Sequence, residues 1–123
     1  IDAVIGFSQG AAMITLLHTL HLLPACKATL LICNAHLQDP YYSNILQNTV
    51  IDKNSVHLIG LQDNTYFERS VKGSLQYKKR ENNIIYADEG HNIPSQRSKN
   101  EIQRAIHMFV NDIKLFTLQN RQL

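Results

Sequence analysis

Gly6-Phe7-Ser8-Gln9-Gly10 is the feature that most narrows what this chain can fold into. The pentapeptide reads G-x-S-x-G and stands between an apolar run, Ala3 to Phe7, and a segment of helical composition that begins at Gln9. A serine at such a junction sits on a strained strand-to-helix turn with its hydroxyl lifted above the sheet, and the flanking glycines remove Cβ atoms where backbones crowd. Strand, turn and helix must be consecutive for this to work, which argues for a parallel α/β sheet. Ser8 lies only seven residues from Ile1, whereas a turn of this kind ordinarily has several strands ahead of it. The expectation is therefore a chain that begins in mid-fold, at the strand that leads into this serine turn, with upstream strands missing.

The remainder of the sequence repeats the alternation. Gln9 to Leu23 is rich in Ala, Leu, Ile and Met, and Thr15, His18 and Thr19 form one polar stripe on an otherwise buried helix that Pro24 ends. Ala11 and Ala12 would let that helix approach the sheet closely. Ala28 to Cys33 is an unbroken apolar run, as in a strand covered on both faces. Asn34 to Asn54 is polar and irregular, includes Asp39-Pro40-Tyr41-Tyr42, and suggests no element. Val56 to Gly60 reads as a third strand. Thr65 to Gln76 reads as a helix opened by the capping box Thr65-x-x-Glu68, with Phe67, Val71 and Leu75 on one face. Ile84 to Ala87 is a fourth strand after the turn pair Asn82-Asn83. A second capping box, Ser98-x-x-Glu101, opens a last helix whose apolar face is Ile102, Ala105, Ile106, Phe109, Val110 and Ile113, with fraying expected beyond Phe116. Residues 1–123 thus read as one partial α/β domain of about four parallel strands with flanking helices.

A net charge of +2, from 12 basic and 10 acidic residues, gives no electrostatic case for nucleic acid. The basic cluster Lys78-Lys79-Arg80 is short and is followed at once by Glu81. His18, Thr19, His21 and Lys27 interrupt the longest apolar stretches, so no membrane span is expected. Cys26 and Cys33 read as buried free thiols, without the spacing of a disulfide framework or a zinc site, which suits a reducing, cytoplasmic setting.

A serine hydroxyl needs a base within reach and a third group to orient that base. Asp63 follows the third strand in Gly60-Leu61-Gln62-Asp63, and His91 follows the fourth in Asp88-Glu89-Gly90-His91. Ser8, Asp63 and His91 therefore all fall past the C-terminal ends of parallel strands, where open α/β sheets place their sites, and in the Ser, Asp, His order of α/β-hydrolases. Asp63 also suits a helix cap, and Asp88 competes with it for the orienting role. His18 and His107 fall on polar helix faces and read as solvated, His57 lies within a strand, and His21 and His36 have no partner at metal spacing.

Gly-Phe-Ser-Gln-Gly-Ala-Ala-Met at the elbow, Val56-His57-Leu58-Ile59-Gly60 leading to Asp63, and Gly90-His91-x-x-Pro94 together resemble the FSH family of serine hydrolases, within the α/β-hydrolase superfamily. The resemblance runs from Ile1 to roughly Ile113. Acyl-protein thioesterases share the Gly-Phe-Ser-Gln-Gly segment, but Ala11-Ala12-Met13 and Pro94 fit the FSH pattern better. The resemblance implies cleavage of a small acyl ester or thioester through an acyl-enzyme, with no cofactor or metal. Ser8 would be nucleophile, His91 base, Asp63 the orienting acid, and the Gln9 backbone N–H one oxyanion donor. Two departures stand out: Glu89 where many relatives have a second glycine, and Cys33-Asn34-Ala35-His36 where they have a Ser-Gly pair. Because an upstream loop supplies the other oxyanion donor in this fold, a non-catalytic remnant or binding module is the alternative, and a purely structural interaction domain a third.

Overall fold

In a computed structural model of the chain, which describes residues 1–121, strand and helix alternate throughout. The elements are β1 (Ala3–Phe7), α1 (Gln9–Thr19), β2 (Ala28–Ile32), α2 (Pro40–Gln47), β3 (Ser55–Gly60), α3 (Phe67–Leu75), β4 (Ile84–Ala87), a 3₁₀ turn (Gln96–Ser98) and α4 (Lys99–Arg121). The strands form one parallel sheet in the order β1-β2-β3-β4. Phe7 pairs with Ile32, Ile32 with Leu58, and Gly60 with Ala87, so the C-terminal ends lie almost level.

Both central strands are buried at every position, which explains why neither alternates apolar with exposed polar residues and why even Thr29, Ser55 and His57 on them are buried. Alternate residues serve opposite faces. Leu30, Ile32, Val56 and Leu58 pack with Ala105 and Phe109 of α4, whereas Leu31 packs with Ala11 of α1. The small residues near the start of α1 do bring it close to the sheet: a Cβ on Gly6 would lie 2.9 Å from the Ala11 backbone. β1 is an edge strand, and Ile5 on it is well exposed.

Several local expectations are overturned. α1 stops at Thr19, before Pro24, because the chain turns through His21 at φ 58° and the Leu22 N–H returns to the Leu17 carbonyl. The stripe Thr15, His18 and Thr19 faces inward. Its hydroxyls donate to the carbonyls of Ala11 and Thr15, and His18 Nδ1 lies 2.7 Å from the buried Tyr77 hydroxyl. A helical period reveals a stripe but not which side of it meets solvent. His107 is exposed, as expected.

Neither capping box forms as read. α3 begins after Tyr66 with no side chain capping it. The Ser98 hydroxyl instead donates to Glu89, and Ser95 opens the 3₁₀ turn that leads into α4. Ile106 and Val110 are exposed, because α4 turns Ala105, Phe109 and Asp112 inward, and Arg80 holds Asp112 through two bonds of 2.6 and 2.7 Å. The helix continues past Phe116 to Arg121. Within the segment that suggested no element, α2 starts at Pro40 and is capped by Asp39, whose carboxylate accepts the Tyr41 N–H at 2.9 Å.

Candidate active site

Ser8 joins β1 to α1 at φ 56°, ψ −117°, a conformation that side-chain-bearing residues seldom adopt and that functional turns favour. The strain is held from the β2 side. Ser8 N–H donates to the Ile32 carbonyl at 3.0 Å, and its own carbonyl accepts from Ala35 at 3.1 Å and from Ala12 at 3.1 Å. Only one of the flanking glycines is sterically required, because a Cβ at Gly6 would strike Ile14 and Ala11, whereas Gly10 has open space around it.

The structure brings the three candidate residues together. Ser8 Oγ lies 2.7 Å from His91 Nε2, and His91 Nδ1 lies 2.6 Å from Asp63 Oδ2. A carboxylate can only accept, so the imidazole proton belongs on Nδ1, which leaves the Nε2 lone pair facing the serine. Asp63 is 2% exposed, and its second oxygen accepts the Tyr66 N–H at 3.0 Å while its carbonyl accepts from Phe67. It therefore orders the turn into α3 and faces His91 at once, so the two readings of this residue are compatible. Asp88 is exposed and accepts instead from Gln62 at 3.1 Å. Gln9 opens α1, so its N–H is among the helix-start donors that lack an intrahelical partner.

β1 and β4 are opposite edges of the sheet, about 14 Å apart for three strand spacings, yet His91 reaches Ser8. It does so because the loop after β4 arches back across the ends of β3 and β2. Gly60 at the end of β3 makes room for this: a Cβ there would lie 2.7 Å from the carbonyl oxygens of both Glu89 and Gly90. Leu61 N–H and Gln62 N–H donate to Ala87 and Glu89 at 2.8 and 2.9 Å, fastening the loop's first residues. Phe7 and Tyr66 rings flank the imidazole at 5.3 and 4.5 Å between centroids.

Glu89, the departure just before Gly90-His91, ties the far side of the same loop. Its Oε1 accepts from Ser95 N–H, Ser95 Oγ and Ser98 Oγ at 3.1, 2.8 and 2.9 Å, and Oε2 from Asn92 at 3.2 Å. Those donors, the Ser95 hydroxyl foremost, hold the carboxyl down to about 2. Cys33 follows β2 at φ 50° beneath this loop, and burial, with the Asp63 charge second, pushes its thiol up. Sequence reasoning did not find the contributions of Gly60, Tyr66 and Cys33. Gly60 and Cys33 share a positional signal, at or just past the C-terminal end of a strand, whereas Tyr66 stands at the start of α3. Both cysteines are free and buried. An open cleft of about 500 Å³ lined by His36, Leu37, Ser43, Leu46 and Lys72 begins one residue beyond Ala35, which is bonded to the elbow.

A parallel sheet covered by helices, with a serine, a histidine and an aspartate gathered past its strand ends, defines the class of α/β serine hydrolases. A family model described as serine hydrolase (FSH1) matches residues 1–102, and the chain belongs to that family. No curated protein and no solved structure matches the chain. No described helix is long and apolar enough to cross a membrane.

Proposed function

We propose that the chain hydrolyses small acyl esters or thioesters through an acyl-enzyme formed on Ser8. The observation that carries this reading is the unbroken relay of two short contacts, 2.7 Å from Ser8 Oγ to His91 Nε2 and 2.6 Å from His91 Nδ1 to Asp63 Oδ2. In this mechanism Ser8 attacks the carbonyl carbon as His91 takes its proton, and the imidazolium, steadied by Asp63, then protonates the leaving alkoxide or thiolate. Water, activated by the same imidazole, releases the acid. The Gln9 N–H stabilises the oxyanion, and one such donor is worth roughly 10²–10³ in rate. The cleft beside His36 supports a place for the acyl group or the leaving group. The free thiols support a reducing, cytoplasmic setting.

The test is covalent labelling by a fluorophosphonate. The protein is expected to incorporate one equivalent, and Ser8→Ala none. Equal labelling of the two would remove Ser8 as nucleophile.

A further inference from the structure

Cys33 is 2% exposed, and its Sγ lies 3.8 Å from the carbonyl oxygens of both Gly90 and Asn92, directly under the loop that carries His91. The thiol thereby joins two groups already described. Cys33 Sγ, a carboxylate oxygen of Asp63 and an imidazole nitrogen of His91 all lie within 4.8 Å of one another. We propose that these three side chains form a binding site for a thiophilic divalent cation of the zinc or cadmium type, and that its occupancy switches the serine off. The inhibitory half rests on the hydrolase reading; the binding half does not.

The ligand chemistry is selective. One thiolate, one imidazole and one carboxylate suit zinc-like ions and not calcium or magnesium, which take oxygen ligands. Zinc bonds of 2.0–2.3 Å in a tetrahedral site put ligand atoms about 3.3–3.8 Å apart, so from separations within 4.8 Å Sγ closes in by at most about 1–1.5 Å while His91 Nδ1 and Asp63 Oδ2 open by about 0.7 Å from 2.6 Å. The surroundings favour a cation, because the charges of Asp63 and Glu89 both act on the Cys33 thiol. A dication reverses that local sign and draws the thiol into its deprotonated form. The His91 side chain, 28% exposed, is the member of the cluster that reaches solvent, since Cys33 and Asp63 are buried.

The protons balance as follows. Cys33 releases its S–H proton to solvent, and the metal takes the sulfur and the Nδ1 lone pair. The proton that Nδ1 had directed at Asp63 moves to Nε2. One proton leaves per cation bound, and His91 stays neutral. Nε2 now bears hydrogen and faces Ser8 Oγ as a donor, so it cannot accept the serine proton. The metal thus enforces the tautomer that cannot act as base.

Titration of the protein with Cd²⁺, read by the ultraviolet sulfur-to-cadmium charge-transfer band, measures binding without turnover. One equivalent is expected to develop the band, Cys33→Ser to abolish it, and Cys26→Ser to retain it. His91→Ala and Asp63→Asn should each weaken Cd²⁺ by at least about tenfold, since even the outer-shell partners of a metal are worth 10–100-fold. Zn²⁺ should suppress fluorophosphonate labelling of the native protein, reversibly with a chelator, and spare Cys33→Ser. Absence of the band, its survival in Cys33→Ser, or its indifference to both His91→Ala and Asp63→Asn would overturn the site. If Cys33→Ser does not fold, the His91 and Asp63 titrations decide alone. The expected cadmium behaviour in a protein that never labels would uphold the cation site and refute the hydrolase reading instead.

Discussion

Gly60 never touches Ser8, yet replacing it with alanine should disarm the serine. A Cβ at this position falls 2.7 Å from two backbone oxygens, those of Glu89 and Gly90, where ordinary contact begins at 3.4 Å. The obstacle is main chain, so no rotamer change relieves it, and the loop must retreat by about 0.7 Å. Overpacking of this kind costs about 1–3 kcal/mol. His91 is the next residue along, and a 1 Å error in a reacting group can cost about 10²-fold, so the labelling rate of Gly60→Ala should fall roughly 10–100-fold. Gly10→Ala supplies the control, because nothing lies within 4 Å of its Cβ. It should label normally and, lying in the first turn of α1 with open space around it, should lose no stability. Pseudo-first-order fluorophosphonate labelling and urea unfolding of both variants give the answer. A Gly60→Ala protein that labels at the native rate would refute the reasoning, whatever its stability, since it would show that the loop yields without moving the imidazole.

Asp63→Asn should lower turnover by about 10⁴, because the amide holds the wrong tautomer of His91, while Asp88→Asn should do far less; steady-state ester hydrolysis ranks them, and the reverse order would reassign the acid. His18 and His57 are buried, and burial brings both down to about 4 from 6.5. Each is neutral in the fold and takes up a proton more readily when unfolded, so their contribution is complete above pH 6.5 and falls away as pH drops from 6.5 toward 4. Urea midpoints measured across that window should decline, and less steeply in His57→Gln; a flat profile would contradict the burial argument. Arg80→Ala strands the buried Asp112 and should cost about 3–5 kcal/mol, whereas Arg80→Met with Asp112→Leu should recover most of it in the same unfolding assay.

Strand existence was legible because both central strands are buried on two faces, and nothing in a run such as Ala28–Ile32 competes with that signal. Asp63 was legible for the same reason, since it follows β3; the elbow and His91 follow the edge strands β1 and β4, and were legible from the residue pattern around them. Helix ends were not. Thr65 and Ser98 have the residue types of capping boxes, but Asp63 organises the turn before α3 and Glu89 engages Ser98, and both partners are remote or out of pattern. The inward face of α1 misled because threonine hydroxyls can satisfy themselves on their own helix and His18 finds Tyr77, 59 residues away. α2 was within reach: Asp39 as cap and Pro40 at the first helical position are a start signal. The role of Gly60 was not, because it depends on a loop that passes overhead.

The arch that carries His91 from one edge of the sheet to the other also sets when reactivity can first appear during folding. The two contacts of the relay join residues 83 and 28 positions apart, and every strand pairing is parallel and so requires a crossover. Contacts of such long sequence separation form late, after the entropy of loop closure has been met. A collapsed chain with its helices already in place would still have an inert Ser8. Acquisition of a fluorophosphonate label in a refolding experiment therefore times the moment when all four strands stand in register, a clock that neither helix content nor compactness provides.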